Sequence, residues 1–316
     1  TLEDATYTPS AADITNGSVT LTMTVTNTSS CSNATDDLIL SITGIPNADA
    51  GVDATICSTS TYTAAATAGN GVILWTSDGS GSFVDAAVED VVYTPSAADI
   101  SASEVTLTIT VSSGGCTDAI DNTILTIQSA PSVDAGVDAT ICSTSTFNAS
   151  ASSLNGTNLW TTSGDGTFNN SSLEDPIYTP GSNDISTGTV TLTLTVTNGN
   201  CSPISDDILL TINSTPSADT GISSDEICEG ENYSLNGIST NGNILWTTSG
   251  DGSFNSNSLE DPLYTPGNND ISTNSVLLTM TVSNNGCLDA TDNLTLTINS
   301  SPSISGGVDY LLCLGD

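Results

Sequence analysis

The sequence repeats itself, and the length of the repeat limits what it can fold into. Leu159-Trp160-Thr161-Thr162-Ser163-Gly164-Asp165-Gly166 returns as Leu245-Trp246-Thr247-Thr248-Ser249-Gly250-Asp251-Gly252, with a looser copy around Trp75. Tyr-Thr-Pro begins at Tyr7, Tyr93, Tyr178 and Tyr264, and six residues after each tyrosine comes an Asp-Ile pair, at Asp13, Asp99, Asp184 and Asp270. The period is 85 to 86 residues. A unit of that size is too long for a solenoid repeat but holds one small autonomous β-domain.

Short proline-containing joints near Pro46, Pro131, Pro216 and Pro302 mark the boundaries. They predict complete repeats over 45–129, 130–215 and 216–300, the C-terminal part of a repeat in 1–44, and the start of another in 301–316. The two end pieces together lack the stretch equivalent to 146–173, which carries the tryptophan strand. A window on a longer array is therefore the expectation, rather than one domain split between the ends.

Within a repeat the apolar residues alternate. Val190, Leu192, Leu194 and Val196 interleave with threonines at 189, 191, 193, 195 and 197, which is the period of a half-buried strand. One extended segment is expected over Val133–Cys142, then short strands around Phe147, Trp160, Tyr178 and Ile208. About seven short strands with a central tryptophan and a closing hairpin predict an all-β fold. The expected architecture is a tandem array of Ig-like Greek-key β-sandwich domains.

Composition narrows function. The chain holds 36 acidic residues and no Lys, Arg or His. A protein with no cation cannot neutralise phosphates, which excludes nucleic acid as a direct partner. Anionic membrane surfaces repel it, and no apolar run is long enough for insertion into a bilayer. No side-chain salt bridge can form, so each carboxylate must be met by water, a hydroxyl, a backbone N–H or a metal ion.

The cysteines are Cys31, Cys57, Cys116, Cys142, Cys201, Cys228, Cys287 and Cys313, with spacings alternating between 59 and 26 or 27. An even, periodic set reads as a disulfide framework in an oxidising compartment. Zinc fits poorly, because there is no Cys-x-x-Cys and no histidine. Two pairings stay open. The default is within repeats, as Cys57–Cys116, Cys142–Cys201 and Cys228–Cys287. In an Ig-like topology, however, those positions lie about 20–30 Å apart, beyond disulfide reach. Cross-repeat bridges Cys57–Cys201 and Cys142–Cys287 are the rival, and they would stiffen the array.

Asp134 and Asp138 flank Gly136 at a joint, as Asp49 and Asp53 do one repeat earlier. Such oxygen-rich sets are candidate calcium ligands; the other reading makes them turn formers on a solvated face. No other cofactor is expected. Trp75, Trp160 and Trp246 are expected in the core, with a glycan-binding surface as the alternative. Without His or Lys, no nucleophile has a recognisable activating partner, and the same acids recur in every unit, so the chain is not expected to be an enzyme.

Asp134-Ala135-Gly136-Val137-Asp138-Ala139-Thr140-Ile141-Cys142, with Leu159-Trp160-Thr161, Tyr178-Thr179-Pro180 and the alternating strand ending near Cys201, resembles the PKD-like and Ig-like repeats of large Bacteroidota surface proteins. These are similar to adhesins exported by type 9 secretion, some linked to gliding motility. The resemblance implies an extracellular, cell-surface β-sandwich array and supplies no catalytic residues. The function expected is a structural or adhesive stalk whose repeats space a tip from the cell. Its partners would be neighbouring repeats, like chains in a filament, and a surface glycan or substratum met through the tip. A self-assembling filament or sheath, and an accessory binding module of a secreted hydrolase, are the alternatives.

Overall fold

The computed structural model describes residues 4–307, so Cys313 lies outside the described residues. In the repeat 45–129 the alternating segment Glu104–Ser112 is a strand that buries Val105, Leu107, Ile109 and Val111 and turns its threonines outward. It pairs antiparallel with Ala119–Gln128 on one side and with Val72–Ser77, the tryptophan strand, on the other. Ala54–Cys57 completes this four-stranded sheet by running parallel to Ala119–Gln128. Two smaller sheets accompany it. Tyr62–Thr63, Val92–Thr94 and Ser82–Phe83 form one, and Asn47–Asp49 with Thr67–Gly69 forms the other.

Trp75, Tyr93, Leu107, Ile109 and Leu125 pack together in the core of this repeat. Burying a Val, Leu or Ile side chain contributes about 1.5–3 kcal/mol, so one face of one strand supplies a large part of the driving force. The repeat 216–300 uses the same order, Ser224–Cys228, Ala290–Asn299, Ser275–Ser283 and Asn243–Thr248, around Trp246, Tyr264, Leu278 and Met280. Ala139–Cys142, Ile204–Asn213, Thr189–Thr197 and Thr157–Thr162 follow it in the repeat 130–215.

The opening segment is not one strand. Asn47–Asp49 and Ala54–Cys57 belong to different sheets, and Gly51 lies between them at φ +83°. A Cβ there would stand 2.8 Å from the Ala65 carbonyl oxygen, so the break requires glycine. The same break separates Ser132–Asp134 from Ala139–Cys142, replacing the single segment expected over 133–142. With this division each complete repeat has nine strands.

A six-residue helix was also absent from the sequence expectations. It spans Ala97–Ala102, Ser182–Thr187 and Asn268–Thr273 in the three complete repeats. At that length it is too short to show a 3.6-residue apolar period. Its cap was nonetheless written in the chain, because Ser96 and Asp99 form a capping box.

Residues Ala11–Asn16 form the same helix in the first segment, followed by paired strands Ser18–Val25 and Ala34–Ser41. Met23 and Val25 are exposed there, whereas Ile109 and Val111, which hold the same places in the next repeat, are buried.

By packing, the chain divides into two compact units. The first contains Thr1–Ser132 together with the turn Leu154–Thr157 and the loop Val196–Ile204. The second contains Val133–Ser153, Asn158–Thr195 and Ser205–Asp316. The division cuts through the repeat 130–215 and assigns two of its turns to the unit that precedes it.

Candidate functional site

The reason those two turns belong with the preceding repeat is the joint. Cys57 ends its strand opposite Gln128, the last residue of the strand that leads out of the repeat 45–129. Cys201 lies in the loop after Thr189–Thr197, with its sulfur 3.6 Å from the Gln128 carbonyl oxygen and 3.7 Å from that of Ser129. The two cysteines are bonded, with Cα atoms 4.8 Å apart. One repeat later Cys142 faces Asn213, and Cys287 sits 3.5 Å from the Asn213 carbonyl oxygen. Cys142 and Cys287 are bonded in the same way.

Asparagines close the same joints. Asn198 Nδ2 donates to the Ser129 carbonyl at 2.7 Å, Asn200 Nδ2 to that of Thr55 at 2.6 Å, and Asn155 Nδ2 to that of Ala130 at 3.0 Å. At the second joint Asn284 and Asn241 donate to the carbonyls of Ser214 and Thr215. Asn155 and Asn241 have φ of 58° and 59°, a left-handed conformation that asparagine tolerates better than most residues. The linker carbonyls are thus satisfied by side chains and not left to water.

Pairing within repeats is overturned. Cys57 sits opposite Gln128, whereas Cys116 precedes Ala119, at the other end of the ten-residue strand Ala119–Gln128. That separation is about 30 Å at strand rise, and no disulfide spans it. Cys31, Cys116 and Cys228, expected in disulfides, are unbonded among the described residues. Cys116 still occupies the seat used by Cys201 and Cys287. Its N–H bonds the Ser113 carbonyl, and its sulfur lies 3.6 Å from Thr43 Oγ1 and 3.9 Å from the Gly44 carbonyl oxygen. Residues 1–44 hold no counterpart of Cys57 to meet it.

A second constellation recurs in each complete repeat and joins residues that the sequence marks only by their repetition. Asp184 is 2% exposed. Its Oδ2 accepts from the Tyr178 hydroxyl at 2.6 Å, the Gly181 N–H at 2.9 Å and the Gly166 N–H at 3.0 Å, and its Oδ1 accepts from the Asp165 N–H at 3.1 Å. Asp270 and Asp99 sit in equivalent cages with Tyr264 and Tyr93. The cage explains Gly-Asp-Gly, since a side chain at Gly164 would run into the Asp184 carboxylate and one at Gly166 into the Tyr178 hydroxyl. The two repeated motifs are therefore two halves of one contact.

Burial pushes the Asp99 carboxyl up. The backbone N–H groups of Ser96 and Ser80, with the hydroxyls of Tyr93 and Ser96, more than offset this and hold it at about 2. Burial, then the carboxylate beside it, pushes the Tyr178 hydroxyl up to about 12. Such a carboxylate is held ionised by the donors that surround it.

The acidic positions near the joints do similar work. Asp49 and Asp134 accept from the N–H groups of Gly51 and Gly136 at 2.8 and 2.9 Å. Asp53 and Asp138 accept from those of Ile124 and Leu209 at 2.9 and 2.8 Å. Among the described residues no three acidic or cysteine side chains come together as cation ligands. Trp75, Trp160 and Trp246 are 2%, 2% and 1% exposed. Their indole N–H groups donate to the carbonyls of Val88, Glu174 and Leu259. Rings so buried offer no face to a sugar.

No known family profile matches the chain, and no curated protein matches it. Among solved structures, the N-terminal eight Ig domains of the Down syndrome cell adhesion molecule are similar with a TM-score of 0.54 and 12% identity, over 90% of this chain and 40% of that one. The chain is a tandem array of Ig-like β-sandwich domains. A three-Ig stretch of titin, an E-to-A variant, is similar with a TM-score of 0.43 and 14% identity, over 81% of this chain and 99% of that one. Immunoglobulin domains 1–5 of Sidekick-1 give 0.38 and 13%, over 88% and 66%. At 12% identity the likeness to the cell adhesion molecule is one of fold alone. Among the described residues no helix is long and apolar enough to cross a membrane.

Proposed function

We propose that this chain is part of an extracellular structural or adhesive array at a cell surface, of the bacterial surface-adhesin kind. Its repeats act as spacers, and it carries out no catalysis of its own. The observation that supports this best is the covalent crossing of each joint between complete repeats. A binding or catalytic module gains nothing from being locked to its neighbour, whereas a spacer must hold its joints. The disulfides also fit an oxidising exterior. The buried aspartates are caged by hydroxyl and backbone N–H donors, and the other acidic residues form a solvated, mutually repelling surface.

The test is reach against repeat number. Chains carrying two, three and four repeats are compared by small-angle X-ray scattering, with the disulfides intact. A spacer gives a maximum dimension that grows by one constant step per repeat. A dimension that saturates as repeats are added overturns the reading. Antibody access on intact source cells tests the location separately, and staining only after permeabilisation would overturn the surface assignment.

A further inference from the structure

We propose that the two cross-joint disulfides limit how far the array lengthens under tension, so that any one repeat can unfold while releasing little length. The inference concerns only the covalent load path and does not depend on what the array presents or where it is displayed.

The argument begins with where each cysteine is anchored. Cys57 is in register with Gln128, so it marks the exit of the repeat 45–129. Cys201 is bonded to it and touches the Gln128 and Ser129 carbonyls, which places residue 201 at the same joint. Cys142 is in register with Asn213, at the exit of the repeat 130–215. Cys287 is bonded to Cys142 beside Asn213 and Ser214. Each joint is thus crossed twice, once by the main chain and once by sulfur.

If the repeat 130–215 loses its fold while its neighbours keep theirs, residue 142 stays tied to the far joint through Cys287. Tension then runs along two short parallel routes, the Cys57–Cys201 sulfurs with residues 201–215 and residues 130–142 with the Cys142–Cys287 sulfurs; the residues between hang slack, and the shorter route, 130–142, sets the limit. Those roughly 13 residues reach about 45 Å fully extended. The folded repeat already spans about 30 Å, the length of its nine- and ten-residue strands. Unfolding it alone releases little length.

The outer repeats behave alike. Unfolding 45–129 exposes only residues 45–57 to the load, because Cys57 remains tied to Cys201. Unfolding 216–300 exposes only 287–300, because Cys287 remains tied to Cys142.

Even with all three repeats unfolded, the shortest covalent route takes the sulfur crossings. It runs from 45 to 57, across to 201, back to 142, across to 287 and on to 300. That is roughly 86 residues of backbone, against roughly 256 without the bridges, or about 290 Å against about 870 Å at about 3.4 Å per residue. Bridges within repeats would not overlap in this way. It is the crossing of the joints, 57 to 201 and then 142 to 287, that interlocks consecutive loops.

The test is single-molecule force extension of the intact 316-residue chain, held by handles at its two ends, with Cys31, Cys116, Cys228 and Cys313 alkylated beforehand. Full unfolding of the three repeats should release about fourfold less length in oxidising buffer than in dithiothreitol, once the folded length is subtracted from each route. The double variant C57S/C142S, in oxidising buffer, should lengthen like the reduced chain. Equal released length with and without reductant overturns the proposal. So does peptide mapping that finds Cys57 and Cys142 unbonded in the oxidised sample.

Discussion

Tyr178 donates its hydroxyl hydrogen to Asp184 at 2.6 Å, six residues away, and a carboxylate only 2% exposed is thereby kept in a protein with no cation to pair it. The tyrosine shares the task with the backbone N–H groups of Asp165, Gly166 and Gly181. The chain solves the problem of its own charge by aiming amides at carboxylates.

Asp184→Asn should therefore destabilise the repeat 130–215 by about 3 kcal/mol or more, since an amide group turned towards those N–H donors leaves some of them buried and unpaired. Tyr178→Phe removes a single hydroxyl and should lose about 1–2 kcal/mol. Native-state amide exchange within that repeat reads both losses. Equal exchange in wild type and Asp184→Asn would show the cage to be dispensable.

Acid should loosen the same cage in the repeat 45–129. Asp99 is held at about 2, below its ordinary 3.8, so the folded state binds the proton less readily than the unfolded chain. The stability it contributes is complete above pH about 4 and is lost as pH falls through about 2. Exchange of the Ser80 and Gly81 amides, measured from pH 5 to pH 2, should speed up relative to core strand amides across that window. A flat ratio would contradict the assignment.

Much of this was legible in the chain. Val190, Leu192, Leu194 and Val196 announced a strand by alternation, and all four are buried. The single tryptophan per repeat announced a core residue. The Asp184 cage was not legible, because its donors are backbone N–H groups from a turn about 18 residues upstream and from a helix too short to show a period. Gly164 and Gly166 were a signal that could have been read, as a pair of close approaches. The division of the opening strand at Gly51 was missed because φ, not side-chain pattern, decides it.

Trp160→Ala should destabilise its repeat by about 3–5 kcal/mol. The ring is 2% exposed, packs against Phe168 at 5.8 Å between centroids, and donates to the Glu174 carbonyl. Chemical denaturation followed by amide exchange checks it. An unaltered midpoint with lost glycan binding would put the ring on the surface instead.

Calcium and sodium should raise the melting temperature alike once ionic strength is matched. Asp49, Asp53, Asp134 and Asp138 are each already engaged by a backbone N–H, so what added salt relieves is general repulsion. Melting curves in EDTA, calcium and matched sodium decide the matter. A sharp transition in calcium alone would make the joint aspartates a metal site.

The most direct test of the account is non-reducing peptide mapping of the oxidised chain after alkylation of free thiols. Trypsin has no Lys or Arg at which to cut, so a protease cleaving at acidic residues is used. The predicted result is one linked pair of peptides containing Cys57 and Cys201 and another containing Cys142 and Cys287, with Cys116 and Cys228 recovered alkylated. Linkage of Cys57 to Cys116, or of Cys142 to Cys201, would contradict the stapled joint and everything built on it.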